Sequence, residues 1–142
     1  DSQWTLGDLV TFHTRYKMVL LSHCPMAYQR LGRTVANAKT RGKKELTAEY
    51  EHEFMSALKK TATPQKHSNV LQHMLGHLKK SLNAEEKRDI LNAINDYRSG
   101  LYPLSVPVVL LGHFIRKHRI SYLEDQAYLA PHPKELALRN FT

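Results

Sequence analysis

Apolar residues recur at intervals of three and four through most of this chain. No stretch alternates with period two for long enough to make a strand, so the reading is an all-α fold. The pattern is sharpest in HSNVLQHMLGHLKK, which follows Pro64, a residue pre-set for the first turn of a helix and disruptive inside one. A helix is therefore expected from about Pro64 to Lys80. Its Leu71, Met74, Leu75 and Leu78 share one face with His67 beside them, and that face meets the core. The opposite face carries Lys66, Asn69, His73, Gly76 and Lys80, each next to the following one along the helix. Gly76 costs such a helix about 1 kcal/mol relative to alanine and leaves room for a backbone, a ring or a phosphate, so something is expected to sit against it.

The same periodicity places the other elements. Thr5 with Asp8 three residues on resembles a capping box, and a helix should run from about Leu6 to His23 with Leu9, Phe12, Tyr16 and Leu20 as its stripe. His13 and His23 fall on that stripe, while Thr11, Thr14, Arg15 and Ser22 lie outward. Pro25 opens a shorter helix with Tyr28, Leu31 and Val35, and NAKTRGKKE reads as an exposed basic loop. A helix over about Leu46 to Thr61 follows, acidic at its start and basic at its end. Asn83, with Glu86 three residues on, caps another that ends near Arg98 with Gly100 as its stop. Val106 to Leu111 is the longest apolar run, expected to form a central helix buried on every side. The tail reads as a short helix from Ser121, a break at Pro131 and Pro133, and a final turn or two through Leu138. The expectation is one compact helical domain over residues 1–142, six or seven helices around that buried apolar helix, without repeats.

Charge and cysteine content narrow the chemistry. Lys and Arg number 21 against 13 Asp and Glu, a formal net charge of +8, and nine histidines add to it as pH falls. Such a balance favours polyanions, nucleic acid or an anionic membrane. The one cysteine, Cys24, excludes an internal disulfide, a four-thiolate zinc site and a conventional iron–sulfur site built by this chain alone, so no cofactor is expected in it. A reducing, cytoplasmic setting fits. No run approaches the roughly 20 apolar residues of a membrane span and no signal peptide is visible, so a soluble chain is expected, and of the two polyanions the reading takes RNA and no membrane. The chain begins at Asp1 rather than Met, as expected of a segment cut from something longer.

Candidate chemistry follows from spacing. His73 and His77 stand four apart on one helix, but Met74 replaces the glutamate of HExxH and spacing supplies no third ligand, so no metal site is expected. Cys24 and His23 are adjacent and point about 100° apart, which does not make a nucleophile and base, and no nucleophile elbow, P-loop or dinucleotide glycine pattern occurs. His13, Tyr16 and His23 are either a hydrogen-bonded core network or the lining of a pocket beside Arg15 and Lys17, and His113 belongs to the same question. The line Lys66, Asn69, His73, Gly76, Lys80 is either a solvated face or an anion-binding strip suited to phosphate oxygens. Further basic groups at Arg41 to Lys44, Lys59 with Lys60, and Arg116 to Arg119 could extend it. Tyr28, Tyr97 and Tyr102 are candidate stacking platforms for bases, or core.

The strings LVTFHTRYKMVLLSH, HSNVLQHMLGHLKK, YRSGLYPLSVPVVLLGH and YLEDQAYLAPHPKELALRN, in that order, resemble the bacterial YbgA-type domain of unknown function across nearly the whole chain. Members of that family stand alone or follow a desulfidase-like domain that carries a cysteine-held iron–sulfur cluster. The fused relatives are similar to enzymes that remove sulfur from thiolated uracils, including thiouridine in transfer RNA. The resemblance implies that this module holds RNA and leaves the chemistry to the desulfidase-like partner. The family pattern maps onto His13, Arg15, Tyr16, Lys17, His23, Asn69, His73, Gly76, Tyr97, Arg98 and His113, and carries no catalytic role over to any of them. His77 departs from it, since the family commonly has an aromatic residue there.

Three functions are therefore weighed. The leading one is a non-catalytic RNA-binding module, for transfer RNA above all, with phosphate contacts from Lys66, Lys80, Arg15, Lys17 and Arg116 alongside Asn69, His73 and Gly76. The second is an enzyme with a pocket lined by His13, Tyr16, His23, Asn69, His73 and His113, in which a histidine acts as general acid or base. The third is a docking module for an acidic protein.

Overall fold

The structure, a computed structural model, describes residues 4–129, and the predicted break and final turns at Pro131 to Leu138 lie outside them. Seven α-helices follow one another: α1 (Leu6–His23), α2 (Pro25–Ala36), α3 (Lys43–Leu58), α4 (Pro64–Leu78), α5 (Ala84–Arg98), α6 (Ser105–Lys117) and α7 (Ser121–Glu124). Single 3-10 turns lie at Ala38–Thr40 and Ala127–Leu129, and the described residues contain no strand. The chain is all-α, folded as one compact helical domain.

Local signals set most of the ends. The Thr5 hydroxyl accepts from the Asp8 amide while the Asp8 carboxylate accepts from the Thr5 amide, both at 3.0 Å, closing the capping box before α1. Asn83 and Glu86 do the same before α5. The Pro25 ring occupies the first position of α2 with only Cys24 between it and the end of α1, so the chain turns at Cys24, which is in extended backbone. Gly100, at φ +81°, ends α5: Leu101 N–H donates to Asp96 O at 2.8 Å and Gly100 N–H to Tyr97 O at 3.0 Å. The end of α6 has the same pair of bonds, Ile120 to Ile115 and Arg119 to Arg116, but Arg119 holds the left-handed position at φ +54°.

The helices bury two clusters of apolar side chains, and α1 contributes to both. Leu9 and Leu20 of α1 pack with Ala27 and Leu31 of α2 and Leu46, Tyr50, Phe54 and Ala57 of α3. Met18 and Leu21 pack with Val70, Leu71, Met74 and Leu75 of α4, Ile90 and Ile94 of α5, Leu111, Phe114 and Ile115 of α6, and Leu123 of α7. Here α4 lies between α1, α5 and α6. The half-buried Tyr28 of α2 touches both clusters, so a seam between them reaches the surface beside it.

The expectation of a central helix buried all round is corrected. The α6 helix buries Pro107, Val108, Leu111, Phe114 and Ile115, but Val109 is 63% and Val106 37% exposed. Six consecutive apolar residues span every direction around a helix, and only one side of this one meets α4 and α5. The central positions belong to α1 and α4. The α3 helix starts at Lys43, three residues before the expected Leu46, with Glu45 in its first turn. Part of the expected loop is the 3-10 turn whose Ala38 is buried.

Candidate functional site

The line expected along α4 divides when neighbours are in place. Lys66 turns inward: its ammonium donates to the His23 carbonyl at 2.8 Å and to the Thr61 carbonyl at 2.9 Å, and so caps the C-terminus of α1. The His23 imidazole donates from Nδ1 to the Lys60 carbonyl at 2.8 Å, fastening the same corner. Both residues thus hold this corner of the fold. Asn69 faces the other way, into a shallow groove of about 620 Å³ with Pro64, Gln65, Ser68, Gln72 and Arg98. Around Gly76 there is open space: an added Cβ would meet nothing within 4 Å, so the expected close neighbour within the chain is absent among the described residues.

What remains of the line joins residues from three other helices. The His73 ring meets Tyr28 edge-on at 6.1 Å and His77 at 5.2 Å. His77 stacks on Tyr122 of α7, centroids 4.6 Å apart and planes 18° apart. The Lys17 ammonium of α1 sits 4.1 Å from the Tyr122 ring centre and donates to its hydroxyl. Tyr28, His73, His77, Tyr122 and Lys17 thus form one row over the seam between the two cores; the exposed Gly76 precedes His77 on α4, and the exposed Lys80 follows the helix end at Leu78, short of the expected Lys80. Burial, then the neighbouring His77 and Lys17, lowers the pKa of His73 and so favours its neutral form. Burial and nearby Tyr122 raise that of Tyr28.

A groove of about 410 Å³ opens next to this row, between α1 and α2, lined by His13, Thr14, Lys17, Tyr28, Gln29, Gly32, Arg33 and Ala36. His13 lies in it at 8% exposure. Its Nδ1 is 2.8 Å from the Tyr50 hydroxyl, and its Nε2 faces Gly32, where an added Cβ would stand 4.0 Å away. Burial, helped by Lys17, lowers the His13 pKa to about 4, and burial raises that of Tyr50, so both are uncharged near neutral pH. If Tyr50 donates, Nε2 carries the proton; if His13 donates, Nε2 offers a lone pair. Either way one hydrogen-bonding position faces the groove.

The six-residue pocket weighed from sequence does not form as drawn. His13 lines the same groove as Tyr28 and the His73 ring meets Tyr28, but Tyr16 stacks on Phe12 at 4.7 Å in the first core cluster, His23 is tied to Lys60, Asn69 lines the other groove, and His113 is exposed on α6. Of the remaining cations expected to contact phosphate, Arg15 leans over the Tyr16 ring and Arg116 lies back over Gly112, and neither lines the groove beside the seam. Of the tyrosines, Tyr97 is buried and Tyr102 exposed. Sequence reasoning missed Tyr122, Arg33 and Tyr50. Only His77 left a signal, its spacing of four from His73, and that spacing serves ring contact here.

No helix among the described residues is long and apolar enough to cross a membrane. The sequence profile of the family described as "Protein of unknown function (DUF1722)" matches residues 17–133. The "Uncharacterized protein YbgA" of Escherichia coli (strain K12) is 29% identical over 137 residues, spanning 96% of this chain and 81% of that protein. No solved structure matches. The chain belongs to the DUF1722 family, as the resemblance to YbgA-type domains implied.

Proposed function

We propose that this DUF1722-family chain is a non-catalytic basic module that binds structured RNA, transfer RNA above all, and holds it for a desulfidase-type enzyme of the kind the fused relatives carry. The observation that carries this reading is the row of Tyr28, His73, His77, Tyr122 and Lys17 over the seam. Aromatic and imidazole faces accept bases by stacking, and flanking ammonium and guanidinium groups accept phosphates. Lys17, Arg33 and Lys80 supply those cations, within a chain of net charge +8. The bare helix surface at Gly76 lets a sugar–phosphate backbone come close. Asn69, in its own groove, and Arg15 and Arg116, away from the row, are secondary to this interface.

The test is RNA affinity in a variant carrying His77→Ala and Lys80→Glu together. Both side chains are exposed, so the fold should persist. Losing a stacked ring at about 1–3 kcal/mol and one phosphate contact predicts transfer RNA binding at least about tenfold weaker, with a shallower salt dependence. Unchanged affinity and salt slope would remove the row as the interface.

A further inference from the structure

The groove between α1 and α2 differs from the open row beside it. Its most buried lining group is the nine-tenths-buried imidazole of His13, seated on the Tyr50 hydroxyl. Its described lining contains two cations, Lys17 and Arg33, and no carboxylate. Arg33 has no hydrogen-bond or ion-pair partner for its guanidinium among the described residues, so that charge is available to a ligand. Tyr28 and Ala36 give it apolar wall, Gln29 an amide, and Gly32 a place where helix backbone is bare directly opposite His13 Nε2.

We propose that this groove binds one nucleotide, its base between Tyr28 and Gly32 within reach of His13 Nε2 and its phosphate at Lys17 and Arg33. A bare anion would use the two cations but neither the Tyr28 ring nor the His13 Nε2. A volume of about 410 Å³ lies in the lower part of the range for small-ligand pockets. The uncharged imidazole at the floor suits the neutral polar edge of a base, and the charges stand where a phosphate would emerge. The nucleotide is either an unpaired unit of the RNA held along the seam or a free mononucleotide. The first source rests on the RNA-binding reading above and deepens it: the row holds the strand while the groove takes one unstacked residue.

The experiment uses the full chain and four ligands: a mononucleotide set, an unpaired RNA hexamer, a blunt RNA duplex and transfer RNA. Affinity is measured by calorimetry and the His13 ring proton is followed by NMR. The blocking variant is Gly32→Leu. Leucine is the better helix former, and its side chain fills the groove over His13, against the Tyr28 side chain one turn earlier on α2. Arg33→Gln is the second variant, leaving the fold alone and removing one charge.

The proposal expects mononucleotides or the hexamer to move the His13 resonance. It expects both variants to weaken that binding by at least about tenfold, Gly32→Leu with duplex binding as in wild type and Arg33→Gln with duplex binding weaker by no more than the one phosphate contact it removes. Stronger binding of the hexamer assigns the RNA source, and equal or stronger binding of mononucleotides assigns the free one. Mononucleotide binding without transfer RNA binding keeps the groove and overturns the RNA module. Transfer RNA binding, with no response from mononucleotides or hexamer at His13, overturns the groove and keeps the module. Wild-type affinity in folded Gly32→Leu overturns the groove as the site.

Discussion

Replacing His13 by glutamine should change how stability depends on pH more than it changes stability itself. The imidazole is buried against Tyr50 with its folded pKa lowered to about 4, whereas in the unfolded chain it titrates near 6.5. Between those values the unfolded chain binds the extra proton and the folded chain does not, so stability falls as pH drops through this window and is fully present above 6.5. The separation corresponds to at most about 3 kcal/mol, and solvent reaching Nε2 through the groove reduces the expected loss to about 2 kcal/mol. Glutamine does not titrate. Above pH 7 the variant should be less stable than wild type by about 1 kcal/mol, the worth of the bond to Tyr50. That gap should close, and then invert, as pH approaches 4.5. Urea unfolding followed by circular dichroism at several pH values between 7.5 and 4.5 measures it, and taking the difference between two chains cancels the other eight histidines. A gap constant across the range would refute the burial and neutrality of His13, and with it the floor assigned to the nucleotide groove.

Other consequences separate structural from functional residues. Gly76→Ala should raise the melting temperature, worth about 0.5–1 kcal/mol, since its Cβ meets nothing; a drop would place an unseen neighbour there. Lys66→Met should destabilise by about 1–3 kcal/mol through loss of its bonds to the His23 and Thr61 carbonyls, while Lys80→Glu should leave melting unchanged and weaken RNA binding. Arg119→Gly should stabilise by about 1 kcal/mol, because glycine takes the φ of +54° without strain and the turn's two backbone bonds stay; a lower melting point would show that the arginine side chain matters more. Glu86, whose carboxylate pairs with Lys117 at 2.9 Å and His118 at 3.0 Å, has its pKa lowered to about 2, chiefly by Lys117. The thermal deficit of Glu86→Gln should therefore be full above pH 4.5 and shrink as pH falls toward 2.

Sequence reading succeeded where the determinants are local. Pro64, Pro25, the Thr5 and Asn83 boxes and Gly100 act within one turn of chain, and each stands at the helix end it implied. It failed where orientation depends on distant elements. Nothing in Val106 to Leu111 says which valine will face outward, because every side of that run is apolar and only the placement of α4 and α5 decides. Lys66 carries the composition of a surface lysine, yet the carbonyl it caps lies 43 residues earlier. The stack of His77 on Tyr122 joins residues 45 positions apart, and Lys17 meets that same tyrosine across 105. No local pattern encodes such meetings. Along the strip read on α4, packing turns Lys66 inward and Asn69 into another groove, His73 and Gly76 remain on the α4 surface, and the exposed Lys80 lies just past the helix end at Leu78.

The most direct test of the account is binding of the purified chain to labelled transfer RNA, beside duplex DNA of equal charge, over a salt series. The account predicts tighter binding of transfer RNA at every salt concentration, falling linearly in logarithm as salt rises, with the slope set by the few phosphates that Lys17, Arg33 and Lys80 can reach. Equal affinity for both nucleic acids, in the roughly 10⁻⁴ to 10⁻⁶ M range of nonspecific contact, would contradict it and reduce the +8 charge to a background attraction.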